Sequence, residues 1–182
     1  MINERVICAG FGGQGVMSMG QLLSYAGMIE GKHVSWLPSY GPEMRGGTAN
    51  CNVTVSDTPI GSPIITHDAT AAIVMNLPSL IKFESELENG GMMLINSSLI
   101  DRKIERKDIK AYYVPANEIA GEIGSGKVAN MVMLGAYLEL TKVVKVETVI
   151  EALRKVFGPS KEHLIPLNEK ALQRGAEAVK EQ

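Results

Sequence analysis

Glycines close to the N-terminus have the spacing of an anion-binding turn. Gly10, Gly12 and Gly15 satisfy the pattern G-x-G-x-x-G, and Gly13 and Gln14 complete the turn. The turn follows an apolar run and precedes an apolar helical pattern. Without Cβ atoms it can adopt positive φ and let another group approach its amides, and the following helix offers N–H groups at its positive end. These five residues are candidates to bind an anionic ligand or to pack against another backbone.

The same pattern is found in dinucleotide-binding proteins, which also need an acidic residue about 20 residues later to hold a ribose hydroxyl. The second strand, predicted at residues 33–37, instead ends in Pro38 and Ser39. Glu30 comes too early and Glu43 too late. A stand-alone dinucleotide-binding oxidoreductase therefore remains the alternative hypothesis.

A second unusual segment, residues 38–47, reads Pro-Ser-Tyr-Gly-Pro-Glu-Met-Arg-Gly-Gly. Its prolines and glycines favour an irregular, defined backbone at the carboxyl end of a strand, where open α/β sheets place their sites. Tyr40, Glu43 and Arg45 are its candidate ligands. Arg45 could clamp a carboxylate or phosphate, or it could pair with Glu43 and hold the loop; docking onto a partner chain is compatible with both.

Other motifs give little support for chemistry within this chain. Residues 121–127 begin like a phosphate-binding loop, but Val128 replaces the magnesium-binding Ser or Thr, so a helix-to-helix turn is expected. His67, beside Asp68, could form a polar pair with it. The histidines lack metal-binding spacing, and no serine lies in a G-x-S-x-G elbow.

Composition narrows the class of protein. The 182 residues suit a single α/β domain, residues 1–182, and the net charge of −2 argues against nucleic acid as a partner. Cys8 and Cys51 lie in apolar surroundings and are expected to be buried and reduced, as in a cytoplasmic protein. Two cysteines cannot supply the four thiolates of an iron–sulfur cluster. The low charged fraction suggests that part of the surface is buried against other subunits.

Apolar periodicity predicts strands alternating with helices, and therefore a three-layer α/β/α fold with a mainly parallel, Rossmann-like sheet and C-terminal helices. The segment 57–63 has no room for a crossover helix between adjacent strands, so a mixed sheet is also allowed. The predicted strands are residues 5–9, 33–37, 49–55, 71–75, 92–95 and 111–114. The predicted helices are residues 14–30, 78–88 (closed by 89–91), 130–141, 146–157 and 168–180.

The helix predicted at residues 130–141 is apolar on nearly every side, as is typical of a buried helix. Gly135 would let another element pack closely against it. Asn130, at its start, either caps the helix or points into a site, and it is the last candidate ligand.

Three segments together resemble the gamma subunit of 2-oxoacid:ferredoxin oxidoreductases. They are Gly-Phe-Gly-Gly-Gln-Gly-Val at residues 10–16, Pro-Ser-Tyr-Gly-Pro-Glu-Met-Arg-Gly-Gly-Thr-Ala-Asn at 38–50, and Lys-Val-Ala-Asn-Met-Val-Met-Leu-Gly-Ala at 127–136. The second segment is the specific one. It is more similar to the pyruvate, 2-oxoisovalerate and 2-oxoglutarate enzymes than to the indolepyruvate enzymes.

The resemblance implies an oxidative decarboxylation: a 2-oxoacid, coenzyme A and oxidised ferredoxin give acyl-CoA, carbon dioxide and reduced ferredoxin. Thiamine diphosphate and iron–sulfur clusters would belong to partner subunits, and this chain would hold no cofactor alone. It would act as a structural subunit near the coenzyme A entry, inactive when isolated, with 2-oxoglutarate or a branched-chain 2-oxoacid as substrate. Whether the isolated chain forms a homodimer stays open.

Overall fold

The computed structural model describes residues 1–40, 48–180 and 182, without the side chain of Tyr40. In this part of the chain, six strands form one sheet and six α-helices accompany it. The strands are β1 (Asn3–Phe11), β2 (His33–Tyr40), β3 (Thr48–Ser56), β4 (Ala69–Val74), β5 (Leu87–Asn96) and β6 (Lys110–Val114). The helices are α1 (Val16–Ile29), α2 (Leu77–Phe83), α3 (Ala116–Glu122), α4 (Ala129–Thr141), α5 (Val146–Phe157) and α6 (Ile165–Ala178).

The sheet is mixed, with the strand order β2-β3-β1-β4-β5-β6. β3 is antiparallel to both β1 and β2, whereas β1, β4, β5 and β6 are mutually parallel. Five of these strands therefore run in one direction, which confirms the mainly parallel sheet. The segment 57–63 does not join adjacent strands, however, because β3 and β4 lie on opposite sides of β1.

Helices cover both faces of the sheet, as the three-layer prediction requires. Along β1, Val6 and Cys8 face the layer of α1 and α3–α6, and Ile7 and Ala9 face the layer of α2. Because both sets are buried, the strand is apolar without alternation. In the described ranges, none of the helices combines the length and hydrophobicity needed to cross a membrane.

The helix predicted at residues 78–88 is wrong in its second half. α2 ends at Phe83, and a 3₁₀ turn, Glu84–Glu86, leads directly into β5. Leu87 pairs with Ala69 and Met92 with Ala71, so the segment 88–91 bulges out opposite one residue of β4. The glycines there lie in a strand bulge and do not end a helix.

The C-terminal layer depends on a close crossing of α4 and α6. A Cβ atom on Gly135 would overlap the backbone carbonyl of Leu172, and one on Gly175 would overlap that of Val132. The predicted close approach at Gly135 is confirmed, and α6 is the helix that uses it.

Candidate functional site

The glycine turn joins the carboxyl end of β1 to the start of α1. Gly13 and Gly15 have φ values of 94° and 76°, which L-residues rarely adopt. At Gly10, a Cβ atom would lie 2.6 Å from the Gln14 Oε1 atom and 2.9 Å from the Met75 Cβ atom. The motif therefore combines two needs, positive φ in the turn and close packing at its base.

Gln14 supports the turn from inside. Its Oε1 atom accepts a hydrogen bond from the Phe11 amide at 2.6 Å, and its Nε2 atom donates to the Met75 carbonyl at 3.2 Å. Gln14 was predicted to contact a ligand. In the structure both ends of its amide are engaged with backbone, so its observed contribution is to tie the turn to the end of β4.

Asn130 lies on the other side of the turn. Its Nδ2 atom donates to the Gly15 carbonyl at 3.2 Å, and a Cβ atom on Gly15 would lie 2.5 Å from the same nitrogen. The cap position of α4 is occupied by Val128, and Asn130 is already the second residue of the helix. Asn130 therefore does not cap α4. Its side chain is directed to the glycine turn instead, and its predicted contact with a ligand stays a prediction.

An open cleft of about 330 Å³ lies in front of the turn. The first turn of α1 lines this cleft through Val16, Met17 and Ser18. Within the described part of the chain, this turn carries neither an acidic residue nor a side-chain cap, so the positive end of the helix dipole is not offset there. This arrangement can receive an anionic group. The lining residues are Phe11, Gly12, Gly13, Gly15, Val16, Met17, Ser18 and Ala49.

The second sequence motif converges on the same place. Thr48 is opposite Phe11 in the β1–β3 register, and Tyr40 is opposite Ala49 in the β2–β3 register. Of the two residues that flank the segment 41–47, Thr48 therefore lies beside the glycine turn, and Tyr40 lies one strand further away. Glu43 and Arg45, and the side chain of Tyr40, are outside the described residues, so their roles stay predictions.

The topology argues against a dinucleotide site. In dinucleotide-binding folds, the strand after the glycine turn lies beside the first strand and presents its acidic residue to the ribose. Here β3 lies between β1 and β2, which moves the end of β2 one strand spacing, about 4.8 Å, further away. The described residues at that end, 37–39, carry no carboxylate.

Met75 and Asn76 are residues of this edge that the sequence motifs did not identify. Met75 provides the carbonyl that holds Gln14, while Asn76 caps α2 by accepting a hydrogen bond from the Ser79 amide at 2.9 Å. The signal was present as Asn-Leu-Pro-Ser, an N-cap residue before a proline in the first turn. The contact to Gln14 had no signal, because it joins residues 61 positions apart.

Cys8 and Cys51 lie behind the turn, directly opposite each other in the β1–β3 register. Both are buried and free of disulfide bonds. The contact with Cys51, together with burial, raises the pKa of the Cys8 thiol well above its usual value, so this thiol is protonated at neutral pH. The sulfur of Cys51 also lies where a Cβ atom of Gly20 would be, which lets α1 pack directly on β3.

Two polar predictions away from the turn have different outcomes. The possible pair of His67 with Asp68 is not formed: Asp68 accepts a hydrogen bond from Arg5, and the His67 Nδ1 atom lies 3.6 Å from a carboxylate oxygen of Glu86. The segment that resembles a phosphate-binding loop is the expected turn between α3 and the 3₁₀ turn before α4, with φ of 108° at Gly124.

Comparison with known proteins identifies the family. The family model "Pyruvate ferredoxin/flavodoxin oxidoreductase" matches residues 5–178. The ketoisovalerate oxidoreductase subunit VorA of Methanothermobacter marburgensis is 42% identical over 175 residues, which are 95% of this chain and 36% of VorA. The 2-oxoglutarate synthase subunit KorC of Methanothermobacter thermautotrophicus is 32% identical over an alignment of 187 positions, which covers 99% of this chain and 97% of KorC. The chain thus spans about a third of VorA and nearly all of KorC.

Solved structures agree with this assignment. The keto/oxoacid ferredoxin oxidoreductase gamma subunit from Geobacter sulfurreducens superposes with a TM-score of 0.83 at 29% identity, over 98% of this chain and 99% of that one. The 2-oxoglutarate:ferredoxin oxidoreductase from Magnetococcus marinus has the same fold, with a TM-score of 0.89 at 23% identity, over 100% of this chain and 32% of that one. The resemblance noted in the sequence is therefore confirmed, and this chain belongs to the pyruvate ferredoxin/flavodoxin oxidoreductase family.

Proposed function

We propose that this chain is the gamma subunit of a 2-oxoacid:ferredoxin oxidoreductase. The complex would convert a 2-oxoacid, coenzyme A and oxidised ferredoxin into acyl-CoA, carbon dioxide and reduced ferredoxin. The observation that carries the proposal is the family match over residues 5–178. The names of the relatives favour a branched-chain 2-oxoacid or 2-oxoglutarate, since VorA is a ketoisovalerate subunit and KorC a 2-oxoglutarate subunit.

In this proposal, the reaction chemistry belongs to partner subunits. Thiamine diphosphate would stabilise the carbanion at the substrate carbonyl, and iron–sulfur clusters would remove the electrons. The chain has two cysteines, which face each other across β1 and β3 in the core, whereas a cluster needs four thiolates. The isolated chain should therefore show no turnover.

The contribution of this chain would be to shape the entry for coenzyme A. The glycine turn offers backbone N–H groups and a helix N-terminus towards an open cleft, which suits the phosphates of coenzyme A. Gln14 and Asn130 hold the turn from two sides, so that its amides are oriented before the ligand arrives. Arg45, in the adjoining segment, would add a guanidinium for the same anion.

A negative charge introduced at Ser18 tests this role. Ser18 is exposed on the first turn of α1 and lines the cleft. In the assembled enzyme, Ser18→Glu should raise the KM for coenzyme A several-fold through repulsion and leave the KM for the 2-oxoacid unchanged. Ser18→Gln is the uncharged control, and Arg45→Ala should also raise the KM for coenzyme A. If Ser18→Glu and Arg45→Ala both match the wild type, the entry role is refuted.

The subunit assignment itself is tested by purifying the tagged chain from its native cells. A thiamine-binding chain should co-purify, and the eluate should reduce benzyl viologen only when both coenzyme A and a 2-oxoacid are present. The 2-oxoacid that gives the highest kcat/KM would identify the substrate. Turnover by the isolated chain with a nicotinamide cofactor would refute the assignment.

A further inference from the structure

α1 differs from the other outer helices because it contains no charged residue. Its sequence is VMSMGQLLSYAGMI, whereas α5 and α6 both carry charged side chains on their exposed faces. Helices that are uncharged on every side are normally buried, yet α1 lies on the surface of this chain. Its inner face packs on the sheet, and its outer face requires another explanation.

The outer face of α1 is the centre of an exposed apolar patch, which consists of Tyr25, Met28, Ile29, Trp36 and Val156. The exposed fractions are 42% for Tyr25 and 58% for Met28. These two side chains form a ridge between two grooves, one of about 470 Å³ towards α5 and one of about 270 Å³ towards β2. Aromatic residues and methionine beside concave pockets are typical of the buried centre of a protein interface.

The charges around the patch indicate what kind of surface covers it. Lys155 pairs with Glu151 at 2.9 Å, and Arg154 lies 3.4 Å from Glu162. Lys155 lines the groove towards α5 and is already paired, so the described residues that line the two grooves offer no unpaired charge to attract nucleic acid or anionic lipid. An apolar protein surface is the partner that complements it.

The comparisons indicate which protein that is. The same domain is part of a longer polypeptide in VorA and a separate chain in KorC. Where the domain is a separate chain, as in KorC, the interface alone must hold it, and this requires a well-packed apolar surface. We propose that the patch docks onto the subunit that corresponds to the remaining two thirds of VorA. This inference rests on the proposed function, because it takes that subunit as the partner.

The patch is also continuous with the glycine turn. Met17, Gln21, Tyr25 and Met28 follow the spacing of one helical stripe, and Met17 lines the cleft in front of the turn. Docking along this stripe would therefore fix the turn against the partner. The interface would set the orientation of the coenzyme A entry as well as holding the subunits together.

The test compares tagged wild-type chain with Met28→Lys, Tyr25→Lys and the control Ile81→Lys. Ile81 is 53% exposed on α2, which covers the opposite face of the sheet. The chains are produced in the native cells, and the subunit that matches the rest of VorA is quantified by mass spectrometry relative to the bait. Met28→Lys and Tyr25→Lys should each lower its recovery about tenfold or more, and Ile81→Lys should not. Circular dichroism melting checks that each variant is folded.

Three outcomes would overturn the inference and can be told apart. Undiminished recovery with folded Met28→Lys and Tyr25→Lys would show that the partner docks elsewhere. If light scattering shows an isolated dimer that Met28→Lys dissociates, while recovery of the subunit is unaffected, a second copy occupies the patch. If even wild-type chain recovers no such subunit, the proposed function fails together with the inference.

Discussion

The Asn130 amide donates a hydrogen bond to the Gly15 carbonyl, and the two residues are 115 positions apart in the chain. This contact joins the start of the buried helix α4 to the last residue of the glycine turn. Two of the three segments that define the family resemblance therefore touch each other, and in the third, Ala49 and Thr48 are opposite Gly10 and Phe11 of the same turn.

The first prediction concerns this contact. Gly15→Ala should destabilise the chain by roughly 2–4 kcal/mol, because it adds left-handed strain to a clash with Asn130. Gly13→Ala also has positive φ, but its Cβ atom would meet none of the described residues within 4 Å, so its cost should be about 1–2 kcal/mol. Urea unfolding measures both. Combining Gly15→Ala with Asn130→Ala should recover part of the loss, and strict additivity would show that the clash is unimportant.

A second prediction concerns Gln14. Gln14→Met keeps the approximate size of the side chain but removes the hydrogen bonds to the Phe11 amide and the Met75 carbonyl. Stability should fall by about 1–2 kcal/mol. Gln21→Met makes the same chemical change within α1, and the stability of this variant should stay within about 0.5 kcal/mol of that of the wild type. Equal thermal unfolding of the two variants would mean that Gln14 does not hold the turn.

The third prediction concerns the crossing of α4 and α6. Gly135→Ala or Gly175→Ala would force the two helices apart, at an expected cost of more than about 3 kcal/mol. Gly121→Ala in α3 is the matched control. Its Cβ atom would meet nothing within 4 Å, so it should be neutral or stabilising by up to about 1 kcal/mol. Denaturant midpoints distinguish the three, and a Gly135→Ala chain of wild-type stability would contradict the observed packing.

A fourth prediction is a pH dependence caused by Tyr137. Burial, with a further contribution from Glu4, raises the pKa of this phenol well above its usual value of 10.0. The folded state then keeps the proton more tightly than the unfolded state. The associated stability is fully present below about pH 10 and is lost as the pH rises through the folded pKa, with a slope of at most about 1.4 kcal/mol per pH unit.

Tyr137→Phe separates this effect from general alkaline unfolding. At neutral pH the variant should lose about 0.5–1.5 kcal/mol, because the hydroxyl no longer donates to the Glu4 carboxylate at 3.3 Å. Above pH 10 its stability should fall less steeply than that of the wild type. Tyr25→Phe, at an exposed tyrosine, should retain the wild-type slope. A Tyr137→Phe chain with an unchanged slope would assign the alkaline loss to other groups.

Local sequence patterns were sufficient to predict the layers of this protein and the glycine turn. The apolar runs and their spacing placed the strands and most helices, because burial on both faces of a sheet demands such runs whatever the topology. The bounds of α5 agreed with the structure at both ends. The positive φ values at Gly13 and Gly15 follow in the same way from the residue type, since local sterics decide them.

The way in which these elements are combined could be seen only in the folded chain. Contacts between distant segments place β3 between β1 and β2 and produce the bulge at residues 88–91. They also produce the close packing of α4 on α6 at Gly135 and Gly175. The same holds for the hydrogen bonds that turn Gln14 and Asn130 towards the backbone of the turn. Local propensity carries no record of such contacts, because their free energy arises when two surfaces meet, and neither segment alone specifies its partner.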